Sequence, residues 1–301
     1  MFRGYEDEGG KVVMDKEYLD HAVFNSLAEA AEFYHGLSSN VMSFMPLWVK
    51  ARPITNYDSY FFEAIANSII SIKVILELGH VTDAKALIRN LFDQIIINLY
   101  FIGRLKKKSD DFNNVMTNDI GSNKKLDLEE WYDANVSNWL MDNKTKNLKK
   151  ALRYDDMKKF LKQDLKLSGI IEYLDSDECK KLRDWLNDTV HLNYYNMVLL
   201  NDGSLCINPK RKATLDEVKR VFDQITMFHV ACVLCLKPVY MMSHDYIDYK
   251  DCGMEPPEGC EYDVSPFVQE YLEKTMYKTC PKWAEKLILT ARPMRLRNLR
   301  S

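Results

Sequence analysis

Two consecutive stretches that are apolar almost all the way round, joined by a very short turn, restrict this chain more than any other feature. From about Tyr57 to Leu78 the apolar positions Phe61, Phe62, Ile65, Ile69, Ile70, Ile72, Val74, Ile75 and Leu76 leave little polar face. From about Thr82 to Leu105 the same holds for Leu87, Ile88, Leu91, Phe92, Ile95, Ile96, Ile97, Leu99, Tyr100 and Phe101. A helix that is apolar on nearly every side belongs in the middle of a bundle. Gly79 suits the residue just past a helix end, Thr82 or Asp83 suits the next cap, and so short a join makes the two helices antiparallel neighbours.

The rest of the chain supports an all-α reading, an up-and-down helical bundle with one small β-hairpin and a peripheral C-terminal helical extension. Asp15 can cap a helix running to about Leu37, which the Ser38-Ser-Asn40 cluster ends. Residues 106–125 are polar and are expected to form a mobile insertion; residues 127–150 resume a helical pattern around Trp131, Val136, Trp139 and Leu140. Asp155/Asp156 and Ser168-Gly169 bracket a short helix. Asp175-Ser-Asp-Glu178 and Thr214-Leu-Asp-Glu217 have capping-box spacing and open two further helices. Between them, Asp202-Gly203 separates two apolar runs, a hairpin signal. Pro238 stops the helix after Thr214, and Pro266 begins another. The expected organisation is a flexible N-terminal arm (1–13), a helical bundle domain (14–240) and an extension (241–301) with a basic tail, Arg292 to Arg300.

Composition bounds the function classes. With 301 residues and 47% hydrophobic side chains the chain can bury a core without disulfides. A net charge of −3 argues against a general nucleic-acid coat, though not against a local basic site. Seven cysteines, an odd number, read as reduced core residues of a cytoplasmic protein. Cys232-Val-Leu-Cys235 with His229 lies within an apolar helix and lacks a second ligand pair, so no metal and no other cofactor is expected. Met1–Lys11 has no apolar core, so no signal peptide is expected. The run Met227–Met242, about 16 residues, is too short for a bilayer core of ~30 Å, so no membrane span is expected.

The candidate chemistry starts at Arg89. Arg89 and Asp93 are four apart and share a helix face. Asn90, Gln94 and Asn98 form an adjacent row, and Glu63, Asn67 and Ser71 a third on the preceding helix; facing rows would make a polar seam, whereas outward rows would simply be wet. Arg89 keeps its charge at any relevant pH and offers a planar fork that suits phosphate. His191 follows Asn187 by four residues at an expected helix C-terminus, where the macrodipole favours imidazolium, and histidine is the usual acid or base near neutrality. Arg89 and His191 would be catalytic, with Asp93 and Asn187 orienting them. Lys210, Arg211 and Lys212, with Asn193 and the stacking ring of Tyr194, would bind RNA.

These residues carry a resemblance. Ala86-Leu-Ile-Arg89-x-x-x-Asp93 after the Gly79–Ala84 turn, together with Asn187-Asp-Thr-Val-His191, resembles a family of uncharacterised bacterial helical proteins. That family pairs an Ala-x-x-Leu-x-Arg-Ser-Leu-x-Glu helix with a later Ser-x-x-x-His element. It is distantly similar to the HEPN superfamily, which includes metal-independent ribonucleases of toxin–antitoxin, abortive-infection and CRISPR systems. The match covers roughly residues 57–105 and 180–235, with Asp93 in place of Glu and Asn187 in place of Ser. The superfamily's ribonucleases carry Arg-x4–6-His on one helix; here Arg183 is too far from His191, so the arginine would be Arg89 from another helix.

The resemblance implies a metal-independent ribonuclease in bacterial stress or phage defence, acting on RNA as a homo-oligomer beside an effector or antitoxin protein. Two other classes stay open. One is a non-catalytic helical module that recognises a nucleotide or partner effector protein; the other is a scaffold whose polar residues only fix bundle register.

Overall fold

The computed structural model describes residues 5–6, 12–13, 15–42, 57–116, 153–190, 195–203, 207–255, 264–290 and 296. Within them the chain is predominantly helical. Two strands, β1 (Tyr5–Glu6) and β2 (Val12–Val13), pair antiparallel inside the segment expected to be a loose arm. The α-helices of four or more residues are α1 (Lys16–Leu19), α2 (Ala22–Met42), α3 (Tyr57–Glu77), α4 (Val81–Met116), α5 (Tyr154–Leu161), α6 (Asp177–Val190), α7 (Arg211–Leu236), α8 (His244–Asp251), α9 (Pro266–Tyr271) and α10 (Pro281–Thr290).

Local signals explain most boundaries. Asp15 caps α1 by accepting from the Tyr18 N–H at 2.8 Å. Gly79 adopts φ 76° after α3, the left-handed conformation in which glycine has no Cβ penalty. Ser176 accepts from the Cys179 N–H at 3.1 Å and so opens α6. Pro238 follows the end of α7 at Leu236, and Pro266 is the first residue of α9.

Several elements differ from expectation. The first turn of α4 is capped from afar: the Thr82 N–H donates to Asn201 Oδ1 at 2.7 Å. α2 runs past Leu37 to Met42, because Ser38 and Asn40 satisfy their polarity inside the protein. Ser38 Oγ donates to the Ser59 carbonyl, and Asn40 Nδ2 donates to the Tyr240 and Met242 carbonyls at 2.9 Å. α4 continues into the expected insertion as far as Met116; residues 117–152, with the pattern around Trp131, lie outside the described residues.

The expected hairpin is corrected. Tyr195–Leu200, its first arm, is a 3-10 helix, and Gly203 is not among the left-handed glycines that a tight hairpin turn requires. Asp202 and Asn201 are used for tertiary contacts instead. The second arm, 204–206, lies outside the described residues.

The chain divides into two compact units, residues 1–35, 63–94 and 173–228 in the first, and 36–62, 95–172 and 229–301 in the second. The first unit's core includes Leu27, Tyr34, Ile65, Ile69, Ile88, Phe92, Leu182, Leu186 and Phe222, all buried. The second's includes Phe62, Ile96, Leu99, Leu161, Phe267's neighbour Val268, Leu272, Met276 and Leu287. The segment expected to be peripheral therefore supplies core residues. Among the described residues one helix, α3, is long and apolar enough by composition to cross a membrane.

Candidate functional site

The first unit brings the α4 residues singled out in the sequence against α6. Arg89 Nε donates to Asn187 Oδ1 at 3.0 Å, a contact between residues 98 positions apart. Its Nη1 meets the Asp93 carboxylate one turn on as an ion pair, without the alignment of a hydrogen bond. The Arg89 side chain retains 21% exposure, so the guanidinium sits at the rim of the seam rather than sealed within it. Asn187 and Asp93 contact the fork from two directions.

One turn before Arg89, Lys85 is only 1% exposed. Its ammonium lies 3.7 Å from the centroid of the Trp185 ring on α6, and Nζ is 4.0 Å from Met197 Sδ. Burial pulls its pKa down to about 8, opposed by the Glu217 and Asp188 carboxylates. The sequence reading missed this residue. Its four-residue spacing from Arg89 was the available signal, but Ala84-Lys-Ala86 carries no mark that the lysine is inside.

The segment after α6 is tied to the same stretch of α4. Thr82 Oγ1 donates to the Met197 carbonyl at 2.9 Å, and the Thr82 N–H is held by Asn201. His191, Asn193 and Tyr194 lie outside the described residues, between Asn187 and Met197 in the chain.

The basic segment after this one is divided in its use. Lys210 and Lys212 are exposed. Arg211 is held within the protein: Nε donates to Asp202 Oδ2 at 2.9 Å, Nη1 to Asp15 Oδ2 at 2.8 Å, and the guanidinium lies 5.4 Å from the Tyr18 ring centroid. The Asp202 side chain is fully buried and also accepts from the Asn208 N–H at 2.7 Å. Arg211 thus fixes a turn, and the exposed lysines either side of it are the groups presented to solvent.

The remaining polar rows do not form a seam. Asn67 and Ser71 on α3 are exposed, Asn90 is exposed, and Glu63 pairs with His35 at 3.0 Å. In the second unit Asn98 is buried and its Oδ1 lies 2.8 Å from His229 Nε2. Burial pushes His229 down to about 3, so it is neutral across the physiological range. Cys232 and Cys235 are free and buried, and burial raises both thiols, Cys235 to about 11. They belong to the core. Among the described residues no group of three or more His, Cys, Asp or Glu is placed to hold a metal ion.

Comparison with family models, curated proteins and solved structures finds no match to this chain.

Proposed function

We propose that this chain is a HEPN-like, metal-independent endoribonuclease of bacterial stress or phage defence, working in the cytoplasm as a homodimeric up-and-down helical bundle beside an antitoxin or effector. The observation that carries the reading is the attachment of both flanks of His191 to one stretch of α4. Asn187, four residues before it, holds Arg89; Met197, six residues after it, meets Lys85 and Thr82. Chain connectivity keeps the His191 Cα within roughly 14 Å of that of Asn187 in any conformation. In this reading a guanidinium of fixed charge and an imidazole act on one phosphate.

Such a pair suffices for RNA. The 2′-oxygen attacks the adjacent phosphorus, the bond to the 5′-oxygen breaks, and a 2′,3′-cyclic phosphate and a 5′-hydroxyl result. His191 takes the proton leaving the 2′-hydroxyl or supplies the one that reaches the 5′-oxygen, with water completing the transfer. Arg89 stabilises the charge that grows on the phosphoryl oxygens. Asn187 and Asp93 orient it, and Lys210 and Lys212, with Asn193 and Tyr194, hold the strand.

The test is cleavage of single-stranded RNA in the presence of a chelator. Arg89→Ala is expected to lose about 10²–10³-fold and His191→Ala about 10²–10⁴-fold in rate with the fold intact. Undiminished cleavage by either variant, or none by the wild type, overturns the reading.

A further inference from the structure

We infer that Lys85 is a positioning residue for Arg89, acting through Trp185 to fix the register of α6 against α4; its purpose in phosphate binding rests on the ribonuclease reading. A lysine 1% exposed inside a helical unit needs a reason to be there, because an aliphatic side chain of the same length would fill the space without a charge to desolvate. What its ammonium meets is the face of Trp185, with the Met197 sulfur at its side. Charge over an indole face is directional and strengthens when water is excluded.

Trp185 is two residues before Asn187 on α6, and Lys85 is four residues before Arg89 on α4. The two helices are therefore joined by a pair of contacts, one turn apart on α4 and two residues apart on α6. Lys85–Trp185 holds a buried ammonium and Arg89–Asn187 a partly exposed guanidinium. Sliding or rotating α6 enough to release Asn187 from Arg89 would also pull the indole off the ammonium. The first contact, whose ammonium is buried, thus restrains the second. The other charged groups around Lys85 are Asp188 on α6 and Glu217 on α7, with Arg89 and Asp93 along α4 itself. Both flanking carboxylates favour the ammonium, and burial opposes it.

Positioning and simple packing give different results when Lys85 is replaced by methionine, which keeps the length and loses the charge. The readout is hydrogen exchange at the Arg89 Nε–H, followed by NMR on the full chain alongside urea unfolding. For Lys85→Met we expect exchange about tenfold faster than in wild type with no loss of global stability, and Lys85→Arg restores wild-type exchange. Trp185→Leu, which leaves Lys85 in place, is expected to speed Arg89 exchange in the same way and carries the test if Lys85→Met does not fold. Unchanged Arg89 exchange in the folded variants overturns the inference. So does a parallel loss of exchange protection and global stability that Lys85→Arg does not repair. RNA cleavage does not enter this readout, so a chain that cuts no RNA would sink the ribonuclease reading and leave this result standing.

Discussion

Arg89 Nε donates to Asn187 Oδ1 at 3.0 Å, and that bond joins the third turn of α4 to the last turns of α6. Asp93 also pairs with Arg89, but its side chain is 47% exposed. Exposed ion pairs are screened and contribute little, whereas a hydrogen bond to a charged group in a partly dry seam contributes more. Asn187→Ala is expected to cost about 1–2 kcal/mol in urea unfolding. Asp93→Ala is expected to cost about 0.5 kcal/mol or less. The reverse order would make the carboxylate, not the amide, the anchor of Arg89.

The Arg211 pairs give a second contrast within one side chain. Asp202 has no exposed side-chain surface, and Asp15 is 60% exposed. Asp202→Asn leaves Arg211 and the Asn208 N–H with a weaker acceptor and is expected to cost about 2–3 kcal/mol. Asp15→Asn keeps the α1 cap oxygen and is expected to cost under about 1 kcal/mol. Thermal or urea unfolding of the two variants checks this directly.

The lowered pKa of Lys85 fixes a sign. Its folded value of about 8 lies below the unfolded value of 10.5, so the unfolded chain binds more protons between those limits. Stability supplied by relief of this buried charge is absent below pH 8 and rises as pH climbs from 8 towards 10.5, by on the order of 3 kcal/mol for this group alone. Lys85→Met removes that slope, and unfolding midpoints across pH 7–10.5 measure it. A variant with the wild-type slope would show that the ammonium is not desolvated.

His229 acts at the other end of the scale. Buried and neutral beside Asn98, it has a folded value of about 3 against 6.5. The unfolded chain therefore binds its proton first, and stability falls as pH drops from 6.5 towards 3. His229→Phe is expected to lower stability near neutrality, by leaving the Asn98 Oδ1 unmet, and to flatten the acid side of the profile. An acid limb of unchanged slope would assign the loss to other groups.

How much of this was legible in the sequence differs from element to element. The α3–α4 turn was readable because all-round apolar patterning and a left-handed Gly79 are local signals. Arg89 and Asp93 were readable as a pair because four-residue spacing fixes a shared face. Asn187 was readable only by its spacing from His191. The hairpin was misread because Asn201-Asp-Gly carries the same composition whether it turns a strand or, as here, sends Asn201 to cap α4 and Asp202 to hold Arg211. Trp185 over Lys85 was not readable, because the meeting depends on which face α6 turns to α4 and no local pattern encodes that.

The exposed lysines separate RNA binding from folding. Lys210→Ala with Lys212→Ala is expected to leave stability within about 0.5 kcal/mol of wild type. The same change should weaken single-stranded RNA binding and reduce the slope of log affinity against log salt by about 1.4. An unchanged slope would remove these two side chains from the proposed RNA surface.

The separation of the Arg89 guanidinium from the His191 imidazole, measured in a crystal structure both within a protomer and across any dimer interface, bears most directly on the ribonuclease reading. We expect about 6–7 Å along one of those paths, so that a single phosphate can hydrogen-bond to both groups. A separation beyond about 15 Å along every path would leave no phosphate able to reach both, and the proposed chemistry would be contradicted.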